Sequence, residues 1–234
     1  MKLEDMDVVY LVKKTEINEE LTYSVRSVLE NMPFRNLVFV SGCPSNLAPD
    51  ILLRVRQNHY TKYDNTHKML LAACYCNAIS DDFVLFNDDF FVMKPIDKID
   101  YHYYKTLGER VCVLNSVFPH TPGYRNRLND AAIYLSMNGC EEKNYELHMP
   151  MVINKQKMIE TYRQFPNAGA VRSLYGNYHK VGGIEVEDCK LYELDAKPTG
   201  DETFLSSMDK TFHKGEVGKY IKSKFQKKSE YEID

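Results

Sequence analysis

The residues best placed to do chemistry in this 234-residue chain are Asn87, Asp88 and Asp89. They interrupt an apolar, β-favouring run: Phe83-Val84-Leu85-Phe86 stops at the three polar residues and resumes as Phe90-Phe91-Val92. Two adjacent carboxylates where a buried strand surfaces among aromatic rings cost on the order of several kcal/mol unless something compensates them. A hard divalent cation, Mg²⁺ or Mn²⁺, is the natural compensation. It binds one or two carboxylates and keeps coordination positions open for phosphate oxygens, so the predicted cargo is a nucleotide diphosphate. Asp and Asn are also ordinary turn residues, and an acid-capped turn between two strands is the competing reading.

Such a triplet needs a sheet to hold it. Asp7-Val8-Val9-Tyr10-Leu11-Val12 is continuously apolar after its first residue, as a strand covered on both faces must be. Residues 19–31 then align Leu21, Val25, Val28 and Leu29 along one side of a helix, with Asn18 as its cap and Pro33 beyond its end. Leu37-Val38-Phe39-Val40, closed by Ser41-Gly42-Cys43-Pro44, completes a βαβ unit. Residues 51–55 read as a short helix, 59–64 as a loop, and 65–79 as a mostly buried helix. That order sets Asn87-Asp88-Asp89 at the carboxyl end of a strand, where open α/β sheets bind ligands.

Further on, Val111-Cys112-Val113-Leu114 reads as another core strand. Residues 115–140, with Pro119, Pro122, Gly123, Arg125 and Arg127, read as a loop-rich acceptor-side insertion or lid around a short 131–137 segment. A helix over 155–165 stops at Pro166, and 167–183 shows no clear period. Residues 216–229 alternate Val217, Tyr220, Ile221 and Phe225 with five lysines, which predicts a basic amphipathic helix. Packing of its apolar face is the first reading; contact with a polyanion or a membrane surface is the second.

Composition bounds the rest. Hydrophobic residues at 44% and charged residues at 27% describe an ordinary globular chain rather than a disordered one. A net charge of −3 neither favours nor opposes a polyanionic partner. No apolar segment is long enough to cross a bilayer, so no transmembrane segment is expected. The acidic start, Met1-Lys2-Leu3-Glu4-Asp5, is unlike a secretory signal, and a cytoplasmic protein is expected. The six cysteines form no C-x-x-C pair or zinc-ligand spacing and read as free thiols, with Cys74, Cys76 and Cys112 in apolar packing.

Several stretches resemble one known family. Asp7-Val8-Val9-Tyr10, Glu20-Leu21-Thr22-Tyr23-Ser24-Val25-Arg26-Ser27-Val28 and Leu37-Val38-Phe39-Val40-Ser41-Gly42 resemble the opening of the Stealth proteins. These include bacterial capsular polysaccharide phosphotransferases and the lysosomal enzyme that transfers N-acetylglucosamine phosphate. Phe86-Asn87-Asp88-Asp89 is similar to the end of that family's second block, and His148-Met149-Pro150 with Arg172 further on to its third. Phe204-Leu205-Ser206-Ser207-Met208-Asp209 resembles the last block. The chain departs from the pattern in having Leu11-Val12-Lys13 where the family often carries Trp, and Met208 where an Asn precedes the final Asp; Asp201 is a nearby substitute for Asp209.

The resemblance implies an α/β, GT-A-like (Rossmann-type) single domain with a mixed, mainly parallel central sheet. Residues 1–114 would form the nucleotide- and metal-binding half, 115–215 the acceptor-side half, and 216–234 the basic helix. It implies a transferase with a nucleotide-diphospho-sugar donor and Mg²⁺ or Mn²⁺ on Asp88, Asp89 and Asp209. His148 would take the acceptor proton, Arg172 would clamp a phosphate oxygen, and Asp89 would act at the reacting centre. Asn87 would orient the carboxylates. By fold analogy, Tyr10, Lys13, Asn65 and Lys68 would line the nucleotide, and Arg26 is either a phosphate contact or a structural ion-pair residue. Sugar-1-phosphate transfer to a hydroxyl of a glycan acceptor is the leading reaction. Transfer of the sugar itself, to a glycan or to a hydroxymethylated DNA base, is the alternative; a non-catalytic nucleotide-sugar or nucleic-acid binding module is the third.

Overall fold

The computed structural model of the chain describes residues 2–58, 61–117, 122–166 and 169–233. His59, Pro119 and Asn167, which fall in expected loops, lie outside the described residues. In chain order, a 3-10 turn at Leu3–Asp5 leads to β1 (Asp7–Val12), α1 (Glu19–Asn31), β2 (Leu37–Ser41), β3 (Ile51–Leu53), α2 (Lys62–Tyr75), β4 (Asp82–Phe86) and β5 (Phe90–Val92). Next come β6 (His102–Tyr103), α3 (Leu107–Val117), α4 (Pro122–Met137), β7 (Met151–Asn154), α5 (Lys155–Gln164), α6 (Val171–Tyr178) and β8 (Ile184–Glu185). The last elements are β9 (Lys190–Leu191), β10 (Phe204–Ser207), α7 (Asp209–Lys214) and α8 (Glu216–Lys224).

The fold is α/β with a mainly parallel central sheet, and it divides into two compact units that are discontinuous in sequence. One comprises Met1–Ile99, His148–Ile153 and Cys189–Asp234; the other comprises Asp100–Leu147 and Asn154–Asp188. Their boundaries differ from a linear division at residues 114/115 and 215/216.

The first unit is built on a five-stranded sheet in the order β3-β2-β1-β4-β7. β1 lies at its centre, parallel to β2 on one side and to β4 on the other. Val8, Val9, Val12, Val38, Phe39, Val40, Val84 and Phe86 are all fully buried, which is why these strands read as unbroken apolar runs. The chain lays β2 and β3 on one side of β1 and then β4 on the other, so the strand order reverses between β1 and β4. Gly42 lets the chain leaving β2 pass the end of β1: a Cβ there would stand 2.6 Å from the Lys13 carbonyl oxygen.

A second sheet, β5-β10-β9, takes over where β4 ends. The outer edge of β5 is capped by side chains of α1 rather than by another strand. Ser24 donates to the Phe90 carbonyl, Ser27 Oγ accepts from Val92 N at 3.0 Å, and Asn31 Nδ2 donates to Val92 O at 2.9 Å. These bonds satisfy a sheet edge that would otherwise be orphaned, and they fix α1 against the sheet. On one face of that sheet Phe91, Leu205, Phe212, Val217, Ile221 and Phe225 form one apolar cluster, against which Tyr23 of α1 also packs. The basic helix α8 therefore packs by its apolar face.

In the second unit, residues 111–114 belong to α3 and not to a strand, and Cys112 is exposed. Four apolar residues cannot separate strand from helix by period alone. What decides is the capping box just upstream, where Glu109 Oε2 accepts from Thr106 N and Glu109 N donates to Thr106 Oγ1. Residues 122–137, expected to be largely loop, form the helix α4; Pro122 sits at its first position, where proline starts helices. Leu107, Leu114, Leu128, Leu135, Phe165 and Leu174 make the core of this unit. In the first unit, residues 51–53 are a strand instead of a helix, drawn into the edge beside β2, and α2 begins three residues before the expected Asn65.

Candidate active site

β4 delivers Asn87, Asp88 and Asp89 to its carboxyl end, at the reversal of strand order beside β1. Phe90 N donates to Asn87 O at 3.3 Å, closing a turn with the two aspartates at its central positions. The acid pair thus sits on the crossing from one sheet to the other. Its floor is aromatic: Tyr10 stands 5.3 Å from Phe86 between ring centroids, and Phe86 stands 6.5 Å from Phe90.

The amino end of α1 meets this turn. Asn18 Nδ2 donates to Asp88 Oδ2 at 2.7 Å, while its Oδ1 accepts from Leu21 N at 3.0 Å. One amide caps the helix and holds the acid. Burial and then the charge of Asp89 push the Asp88 carboxyl above its ordinary range, against the Asn18 bond and the Lys190 charge. Two residues into α1, Glu20 accepts from Ser207 Oγ at 3.0 Å. Burial, and then the charges of Asp89, Asp88 and Asp209, push the Glu20 carboxyl up to about 7 against that hydrogen bond.

On β9, Lys190 Nζ lies 2.7 Å from Asp89 Oδ2, with the two side chains only 12% and 16% exposed. His148 packs against the first residue of β5. Its ring meets the edge of Phe90, the residue after Asp89, at 6.3 Å and that of Tyr192 at 6.4 Å, and its carbonyl accepts from Cys189 Sγ.

Asn87, Asp88 and Asp89 thus share one turn, and His148 packs against the ring of Phe90, the next residue; most of the other expected residues have partners of their own. Tyr10 is a core side chain, 1% exposed, with its hydroxyl 2.7 Å from Ser24 Oγ, so its ring cannot face a nucleotide. Arg26 is a structural ion-pair residue: it makes a two-pronged contact with Glu232 at 2.8 and 2.6 Å and donates to Phe225 O. Lys13 is exposed just past β1. Asn65 donates to Thr61 O within α2, and Lys68 reaches Asn58 at 3.0 Å. Arg172 is a buried member of the second unit, donating to Leu147 O at 3.0 Å and offsetting the charge of Glu146. Asp209 is 89% exposed at the first position of α7, with Oδ1 3.4 Å from His213 Nε2. Asp201 pairs with Lys94.

The donor set fits a hard divalent cation. It is all oxygen, and it holds two adjacent carboxylates at one turn. Asp209 does not join Asp88 and Asp89, and among the described residues no group of three or more His, Cys, Asp or Glu gathers at metal-binding distance. Two carboxylates suit a metal whose remaining positions go to water and phosphate.

Glu20 and Ser207 lie in the stretches that carry the family resemblance but take no role from it, and Lys190 lies outside those stretches. The one sequence signal was for Asn18, a cap residue before a helix whose first turn is acidic. No family model matches the chain, and no curated protein matches it.

Proposed function

We propose that the chain is a divalent-metal-dependent transferase with a GT-A-type nucleotide-sugar fold, which moves sugar 1-phosphate from a nucleotide-diphospho-sugar to a hydroxyl of a glycan acceptor. The observation that carries this reading is the Asp88–Asp89 pair at the carboxyl end of β4, where the strand order reverses, with Glu20 forced up beside it.

Asp88 and Asp89 would hold Mg²⁺ or Mn²⁺, which when bound supplies Lewis-acid neutralisation of the diphosphate. Asn18 keeps the Asp88 carboxylate turned to its task. The aromatic edges of Phe90 and Tyr192 orient the His148 ring. In the transfer, the acceptor oxygen attacks the β-phosphorus and forms a new P–O bond as the bond to the α–β bridging oxygen breaks. Nucleoside monophosphate leaves with that electron pair, and the acceptor proton passes to an imidazole nitrogen of His148.

A panel of nucleotide sugars with Mn²⁺ or Mg²⁺, with and without chelator, tests this by the mass of the nucleotide released. Metal-dependent release of nucleoside monophosphate, lost in Asp89→Asn and His148→Ala, is expected. Nucleoside diphosphate would make the reaction glycosyl transfer, and no release from any donor would remove the enzyme reading.

A further inference from the structure

We propose that Lys190 is an internal stand-in for the divalent cation, holding Asp89 until metal and donor arrive and then passing its ammonium to the donor's diphosphate. This rests on the transferase reading above. Strand register is what brings the lysine to the turn. Lys190 on β9 pairs with Ser206 on β10, and Ser206 pairs with Phe90 on β5. The three share one face of the small sheet, and Asp89 immediately precedes Phe90.

A mostly buried lysine is costly without a partner, and the 2.7 Å contact with Asp89 meets that cost. It does so for Asp89 alone: Asp88 is held by a neutral donor, Asn18 Nδ2 at 2.7 Å, so two adjacent carboxylates share one ammonium. A divalent ion balances them better, and its arrival expels the ammonium. Lysine suits such an exchange because it is a point charge on a flexible stem, free of the fixed fork that arginine would impose. A second, independent observation points to an oxygen-bearing ligand on the same face. Ser206 is fully buried, and its Oγ has no hydrogen-bond partner among the described residues. A phosphate oxygen beside Lys190 would give that hydroxyl an acceptor.

The test uses the full chain, Mn²⁺ binding followed by electron paramagnetic resonance, and pyrophosphate as the diphosphate probe. Lys190→Gln should bind Mn²⁺ alone several-fold more tightly than the wild type, because the competing cation is gone. With Mn²⁺ saturating, it should bind pyrophosphate roughly tenfold more weakly, the order of one charge-assisted contact. Lys190→Arg should keep part of the pyrophosphate affinity, and Ser206→Ala should weaken pyrophosphate while leaving Mn²⁺ alone unchanged. If Lys190→Gln does not fold, these two variants decide by the same criterion. A wild type that binds both probes and a Lys190→Gln that shifts both in parallel, or neither, overturns the exchange and leaves the transferase standing. A wild type that binds neither probe overturns both.

Discussion

Asn18 binds Asp88 and caps α1 with opposite ends of one amide, Nδ2 at 2.7 Å from the acid and Oδ1 at 3.0 Å from Leu21 N. The two duties can be separated. Asn18→Ala loses both: the missing cap costs about 1 kcal/mol, and turnover falls by roughly tenfold or more as Asp88 loses its orienting donor. Asn18→Ser restores the cap but is too short to hold Asp88. Its melting temperature should return to the wild-type value while turnover stays low; recovery of both together would show that only the helix mattered.

Glu20 sets a pH dependence of stability. Its carboxyl is raised to about 7 in the folded chain, so the folded state holds the proton more tightly than the unfolded one. The sign follows: stability is greatest below the ordinary glutamate range, is lost as pH climbs towards 7, and is flat above. Glu20→Gln removes that slope and should be more stable than the wild type at pH 8 by about 1–3 kcal/mol, with little difference at pH 4. Urea unfolding at the two pH values measures it. A Glu20→Gln chain less stable at pH 8 would mean that Ser207 needs the charge.

The parts of this architecture legible in sequence are those that buried area alone determines. β1, β2 and β4 are covered on both faces, so their runs are apolar throughout, and the polar break at Asn87 stands out against them. α3 was illegible as a helix because its apolar residues include a neighbouring pair, Val113 and Leu114, that also fits a strand; the capping box at Thr106 carried the information. Site partners brought in by tertiary contact left no trace. Lys190 reaches Asp89 across 101 residues and Ser207 reaches Glu20 across 187, and neither spacing has a periodicity to detect. Arg26 shows the converse, since an arginine on a helix looks the same in sequence whether it meets phosphate or Glu232.

That Arg26–Glu232 pair latches residues 229–233 to α1. Arg26 holds the Glu232 carboxyl down to about 2, so the contribution is present above the ordinary glutamate range and is lost as pH falls towards 2. Next to it Ala48 N donates to Tyr231 O at 2.8 Å and Ile233 N to Asn46 O at 3.0 Å. Arg26→Ala should cost about 3 kcal/mol, since both partners are largely buried. Hydrogen exchange should show the amides of Ala48 and Ile233 losing protection before the central sheet does. Unchanged protection at those two amides would assign the latch to Tyr231 and Asp50 instead.

Arg172 separates a structural arginine from a phosphate clamp. It is buried in the second unit, where it donates to Leu147 O at 3.0 Å and lowers a Glu146 carboxyl that burial pushes up. Glu146 in turn accepts from Ser173 N at 2.9 Å, so the acid is built into the start of α6. Removing the arginine alone strands that acid. Arg172→Ala should therefore destabilise by about 3–5 kcal/mol, whereas the double variant Arg172→Met with Glu146→Gln should recover most of the loss because neither charge is left unpaired. Turnover measured below the melting transition should show the donor KM of the double variant within about threefold of the wild type, a difference below 1 kcal/mol. A hundredfold rise in donor KM with stability intact would instead make Arg172 a substrate contact, and would require its guanidinium to leave Leu147 when donor binds.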